Sequence, residues 1–299
     1  MNAIEIHNLS KSYGKHKALD DISFDVRQGE LFGLIGPDGA GKTTLFRLLT
    51  TLLRPSAGSA TVDGHDIVKE YRAIRSCVGY MPGRFSLYGD LSVEENLNFF
   101  AAMFGVTVAE SYDLIAPIYS QIEPFRKRRA GKLSGGMKQK LALSCALIHR
   151  PKVLLLDEPT TGVDAVSRSE FWDMLAGLKE HGITILVSTP YMDEASRCER
   201  IALCNEGRIL GIDTPTNIVK AFDKRLYGVS ARNMYSLLDR MRHTKGVVDC
   251  YPFGERHHMV VDEECDIEHL KMECTDIESF NIVSAEPTIE DMFIKLMKR

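Results

Sequence analysis

The sequence predicts an α/β protein built around a parallel sheet, and three observations carry that prediction. Residues 31–35 form an apolar run that enters a glycine-rich loop and then a helical pattern, the order strand, loop, helix. Further apolar runs at residues 153–156 and 183–187 are short and bounded by turn or cap residues, as strands buried on both faces are. Helical patterns separate these runs, which is the alternation a parallel sheet requires.

The loop after the first of these strands reads Gly36-Pro37-Asp38-Gly39-Ala40-Gly41-Lys42-Thr43, followed by Thr44. Its glycine-lysine-threonine spacing lets successive backbone N–H groups converge on phosphate oxygens in front of the positive end of a helix. Helical spacing then covers residues 42–53, until Arg54-Pro55 stops it. Between about residues 84 and 150 the character turns helical, with helices expected at 94–104, 108–122 and 135–149, an inserted helical subdomain. The strand at 153–156 delivers Asp157 and Glu158 to its carboxyl end, where α/β sheets keep their ligands. From about residue 226 the order becomes strand, helix, strand, strand, helix, strand, with Gly254-Glu255 turning between the middle strands and a last helix over 288–297. That is a split βαβ arrangement of the ferredoxin-like type. Two domains follow, at residues 1–215 and 226–299.

Length and composition agree with one large and one smaller domain, at 299 residues and a net charge of −4. Acids and bases are interspersed, so no basic face is available to displace counterions, and no nucleic-acid partner is expected. The opening residues lack a basic segment followed by an apolar one, and no uncharged apolar run reaches the roughly 18 residues needed to span a bilayer. A soluble chain is expected, with any membrane role needing a partner. The seven cysteines show no CxxC pairing and read as reduced thiols. The basic run Arg126, Lys127, Arg128, Arg129 and Lys132 reads as a solvated segment. His257 and His258 read as strand residues, because no second ligand pair stands at metal spacing.

The chemistry implied by the loop and the carboxylates is phosphoryl transfer. Lys42 would pair the β and γ phosphates, Thr43 and Asp157 would hold Mg²⁺, and Glu158 would polarise an attacking water. Taken singly, a glycine turn before a helix or an Asp-Glu pair after a strand is unremarkable structure. Together they specify a nucleotide site.

The segment Leu133-Ser134-Gly135-Gly136-Met137 opens a helix with a good cap. It also resembles the signature sequence of ATP-binding cassette (ABC) ATPases, with Met137 where glutamine is usual. Lys11-Ser12-Tyr13-Gly14 is similar to the family segment whose aromatic stacks on adenine, and Thr161-Gly162-Val163-Asp164 to the loop that crosses the dimer interface. Ala165 follows where proline is frequent. The resemblance covers about residues 1–215. It implies a P-loop NTPase (RecA-like) core with an N-terminal antiparallel β subdomain, and ATP with Mg²⁺ as cofactors. Glu158 and Lys42 would be catalytic, and Ser134, Gly135, Gly136 and Met137 would bind the γ phosphate held by the opposite subunit. Asp164 would be an interface residue and Tyr13 the adenine platform.

The ending from Ala285 to Phe293 resembles the close of C-terminal domains on cassette subunits of drug and polymer exporters, with Thr288 capping the last helix. The implied protein is the ATP-binding subunit of an exporter, with an integral membrane permease and a second cassette, identical or different, as partners. Its expected location is cytoplasmic, peripheral on the cytoplasmic face of the inner (plasma) membrane. Two alternatives stay open: a degenerate cassette that mainly holds ATP and lends its signature to a partner, and a cassette switch unconnected with transport.

Two positions depart from the family pattern. Val78-Gly79-Tyr80-Met81-Pro82 is usually followed by glutamine, and here by Gly83. Ser188-Thr189 is usually followed by histidine, and here by Pro190. Neither replacement offers a side-chain donor. Losing one preorganised stabiliser of this kind typically costs about 10² to 10³ in rate.

Overall fold

Two long strands, β1 (Asn2–Tyr13) and β2 (His16–Arg27), form an antiparallel pair. Ile4 and Ile6 on one and Ile22, Phe24 and Val26 on the other are buried at every second position, the alternation of a sheet with one covered face. The chain then enters β3 (Leu31–Ile35) and α1 (Lys42–Leu49), and returns through β4 (Ala57–Val62) and β5 (His65–Asp66). These last two complete an antiparallel sheet in the order β2-β1-β4-β5. The protein is seen as a computed structural model that describes residues 1–298.

After α2 (Tyr71–Cys77) and β6 (Val78–Met81) comes the helical insertion, α3 (Val93–Met103), α4 (Tyr112–Tyr119) and α5 (Gly135–Leu147). The chain rejoins the core through β7 (Val153–Asp157), α6 (Ala165–Glu180), β8 (Thr184–Thr189), β9 (Arg200–Asn205) and β10 (Arg208–Asp213). The core sheet runs β10-β9-β3-β8-β7-β6, parallel except for β10 at one edge. Every residue of β3, β7 and β8 is buried, which is why these strands read as continuous apolar runs. Ile35 pairs with Thr189 and Asp157 with Ser188. Register thus gathers the glycine loop, the carboxylate pair and the Pro190 segment at one end of the sheet.

Two helices differ from their expected bounds by more than two residues. The helix expected over 42–53 ends at Leu49, because the Thr50 hydroxyl bonds back to the Phe46 carbonyl at 2.8 Å and Thr51 turns to φ +62°. The helix expected over 108–122 is a 3₁₀ turn, Ala109–Ser111, followed by the shorter α4. Buried Ser111 donates to the Ile148 carbonyl at 2.6 Å, and that tie to the end of α5 tightens the first turn.

The chain divides into two compact units, Met1–Pro215 and Thr216–Arg299, with α7 (Pro215–Lys220) beginning at the division. The second unit contains β11 (Arg225–Ser230), α8 (Met234–Arg242), β12 (Val247–Phe253), β13 (Arg256–Val261), α9 (Ile267–Glu273), β14 (Asn281–Ser284) and α10 (Ile289–Met297). Its sheet order is β12-β13-β11-β14, antiparallel throughout, which is the ferredoxin-like topology. Met259 and Val261 share a core with Leu237 and Met241 of α8 and Leu270 of α9. His258, on the alternate face of β13, instead meets Asp291 of α10 at 2.6 Å, so helices serve both faces of this sheet. No helix among the described residues is long and apolar enough to cross a membrane.

Candidate functional site

The glycine loop is fixed by close backbone approach. Gly36 donates to the Thr189 carbonyl at 3.3 Å, and a Cβ there would lie 2.2 Å from the Cys204 carbonyl oxygen. Gly41 takes φ +96°, with the Ala18 carbonyl oxygen 2.3 Å from where a Cβ would stand. Helix α1 begins with no side-chain cap, so its first N–H groups are free for an anion. Lys42 is only 3% exposed, and its ammonium donates to the Gly36 and Pro37 carbonyls at 2.7 and 2.9 Å. It also pairs with Glu158 Oε1 at 3.0 Å.

Asp157 is buried and accepts from the Ser188 hydroxyl at 2.9 Å and from the Thr43 hydroxyl. Burial pushes its carboxyl above the ordinary range, opposed by the Thr43 and Ser188 hydrogen bonds and reinforced by the Glu158 charge. Glu158 stands at φ +50°, a left-handed conformation that costs a non-glycine residue about 1–2 kcal/mol. Its N–H donates to the Ser188 carbonyl at 3.1 Å and the Ser188 hydroxyl at 2.9 Å, which holds the turn. Thr43 and Asp157 thus bring a hydroxyl and a carboxylate together beside the loop. Hard oxygen donors in that number fit Mg²⁺, which takes one or two protein ligands and completes its shell with phosphate and water.

The departures sit within this cluster. A Cβ on Gly83 would lie 3.0 Å from the Asp157 carbonyl oxygen and 3.7 Å from the Glu158 Cβ, so the loop after β6 faces the carboxylate pair without a side chain. Pro190 follows the last residue of β8, at the mouth of the glycine loop. Tyr80 on β6 is half-buried, and burial with the Asp157 charge holds its phenol up at about 12, so it stays a donor at neutral pH.

Ser134 caps α5, accepting from the Met137 N–H at 3.4 Å. A Cβ on Gly135 would meet the Gly162 carbonyl oxygen at 3.4 Å, and one on Gly136 the Ser167 hydroxyl at 2.8 Å. The expected signature therefore packs on the expected interface loop. Asp164 caps α6 by accepting from the Ser167 N–H at 3.0 Å, which holds its carboxyl below the ordinary range. Tyr13 ends β1 46% exposed, with the Lys11 ammonium 5.5 Å from its ring centroid, a surface open to stacking. Sequence reasoning did not single out Ser188, which bonds both carboxylate residues, or Glu194, whose buried carboxylate accepts from Thr160 after β7 and from Thr189 at the end of β8.

The sequence matches the ABC transporter family over residues 19–161. It is 40% identical to the probable multidrug ABC transporter ATP-binding protein YbhF of Escherichia coli, over 98% of this chain and 52% of that protein. The chain thus spans about half the length of that relative. It is also 40% identical to the Nod factor export ATP-binding protein I of Paraburkholderia xenovorans, over 73% of this chain and 72% of that one. Among solved structures, the dimeric post-hydrolysis state of the cassette MJ0796 bound to ADP and Pi superposes with a TM-score of 0.64 at 26% identity. That match covers 71% of this chain and 98% of the other.

Proposed function

Because the chain belongs to the ABC transporter family, we propose that it is the ATP-binding subunit of an exporter, hydrolysing ATP between two cassettes to drive a separate membrane permease. The observation that carries this reading is the buried Lys42 ammonium, held by two loop carbonyls and facing Glu158 at 3.0 Å. Lys42 is poised to take the charge of the β and γ phosphates, and the same event frees Glu158 to polarise water. Asp157 and Thr43 would hold Mg²⁺, which when bound neutralises charge building on the phosphate oxygens. Ser134 to Met137 complete the opposite subunit's site, with Asp164 on the dimer face, and Tyr13 stacks on adenine. The dimeric cassette of known structure, bound to ADP and Pi, supports a reading in which two cassettes work together.

The exporter assignment rests on the roles of the relatives, multidrug transport for one and Nod factor export for the other. Docking on a permease would hold the chain at the cytoplasmic face of the inner membrane. Steady-state ATPase assays on the wild type and Glu158→Gln test the catalytic reading. The variant should lose about 10² to 10³ in rate. Equal, near-background rates would instead favour the second reading, in which Gly83 and Pro190 mark a site that holds ATP while the signature serves a partner cassette. Co-purification with a polytopic membrane protein tests the transport role.

A further inference from the structure

Glu194 lies in the 3₁₀ turn Met192–Arg197 after β8 and is only 4% exposed. Its Oε2 accepts from the Thr160 hydroxyl at 3.0 Å and from the Thr189 hydroxyl at 2.6 Å. Both threonines are buried. Thr160 stands two residues after Glu158, and Thr189 immediately precedes Pro190. The other oxygen, Oε1, makes no hydrogen bond and faces Arg168 Nε at 3.7 Å. Arg168 also lays its guanidinium over the Tyr191 ring, 4.5 Å from the centroid, and reaches Asp193 at 3.3 Å. Its backbone N–H bonds the carbonyl of Asp164, the cap of the same helix.

A buried carboxylate is costly to desolvate, and a well-packed apolar residue would stabilise this spot at least as well. What the charge supplies is geometry, since one carboxylate oxygen pins the turn that follows β7, through Thr160, to the last residue of the adjacent parallel strand β8, Thr189. Pro190 brings no side-chain donor to the same end of the sheet, so the placement of Glu158 depends on such ties. We infer that Glu194 and Arg168 are positioning residues, which register Glu158 against the Pro190 segment and couple both to the head of α6. The inference rests on the ATPase reading above and adds the residues that set its geometry.

The test compares ATP affinity and steady-state hydrolysis in Glu194→Gln, Arg168→Lys and the double variant. Arg168→Lys keeps the charge but loses the planar stack and fork. Each single variant should lower kcat by about 10-fold or more while the Kd for ATP stays within about twofold, because neither residue touches the glycine loop. The double variant should be no slower than the worse single, since both act through one cluster. Tyr191→Phe, which keeps the stacking ring, should retain wild-type kcat. Wild-type kcat in either single variant, parallel loss of affinity and rate, or additive loss in the double would each overturn the inference. If Glu194→Gln does not fold, Arg168→Lys decides alone, its side chain being 24% exposed. A wild-type rate no higher than that of Glu158→Gln would sink the ATPase reading and this inference together. A wild-type rate above that floor, with unchanged Arg168→Lys, sinks this inference only.

Discussion

Asp157 shows how a single residue can be both necessary and uncomfortable. Its folded carboxyl titrates above the ordinary 3.8 because it is buried, so the folded state holds the proton more tightly than the unfolded chain does. The stabilising contribution is complete below that ordinary value and disappears as pH rises through the folded one. At neutral pH the ionised group is a net cost to stability. Asp157→Asn should therefore raise the nucleotide-free melting temperature at neutral pH, with the gain narrowing on acidification, while Mg²⁺-dependent ATP turnover is lost; calorimetry beside an ATPase assay checks both. Pro190→His should raise kcat by at least about 10-fold with little change in ATP affinity, because it restores a donor that Pro190 lacks. Residues 36–43 and the pair Asp157–Glu158 were legible in sequence because their chemistry is set by local spacing. Glu194 was not, since its partners Thr160 and Thr189 are joined only when β7 and β8 lie side by side.

At the scale of elements, the head of α5 rests on the head of α6 through glycine. Gly136→Ala would bring a Cβ to 2.8 Å from the Ser167 hydroxyl and 3.0 Å from its Cβ, so the two helices must separate. Such overpacking typically costs about 1–3 kcal/mol. The expected outcome is a lower melting temperature and a fall in ATPase rate, with ATP binding by the glycine loop retained, read by calorimetry, turnover and nucleotide titration. Helix existence was legible from apolar spacing and caps, as with Ser134 at the head of α5, whereas the capping box of Ser92 and Glu95 on α3 is seen only in the structure. Helix ends were less so. Ser111 shortens α4 through a bond to Ile148, 37 positions away, which no local pattern announces. In the second unit, Thr288 was legible as a cap. The burial of Asp291 between Tyr251 and His258 was not, because β12 and β13 supply those partners.

For the whole molecule, the α/β core and the ferredoxin-like second unit could both be read from the order of elements, since strand alternation and turn placement leave few topologies open. Assembly is a different matter, because a head-to-tail site takes residues from two chains. If two copies of this chain build it, mixing Ser134→Arg with Glu158→Gln should recover activity that neither variant has alone. Random pairing would give mixed dimers half the time, each with one intact site, so about a quarter of the wild-type rate is expected. No recovery would point to a different partner cassette. Under the proposed ATPase reading, the Glu158–Lys42 pair at 3.0 Å sets an order of events: a triphosphate that draws the Lys42 ammonium would loosen its hold on the Glu158 carboxylate, so nucleotide binding and water activation would be linked through one side chain.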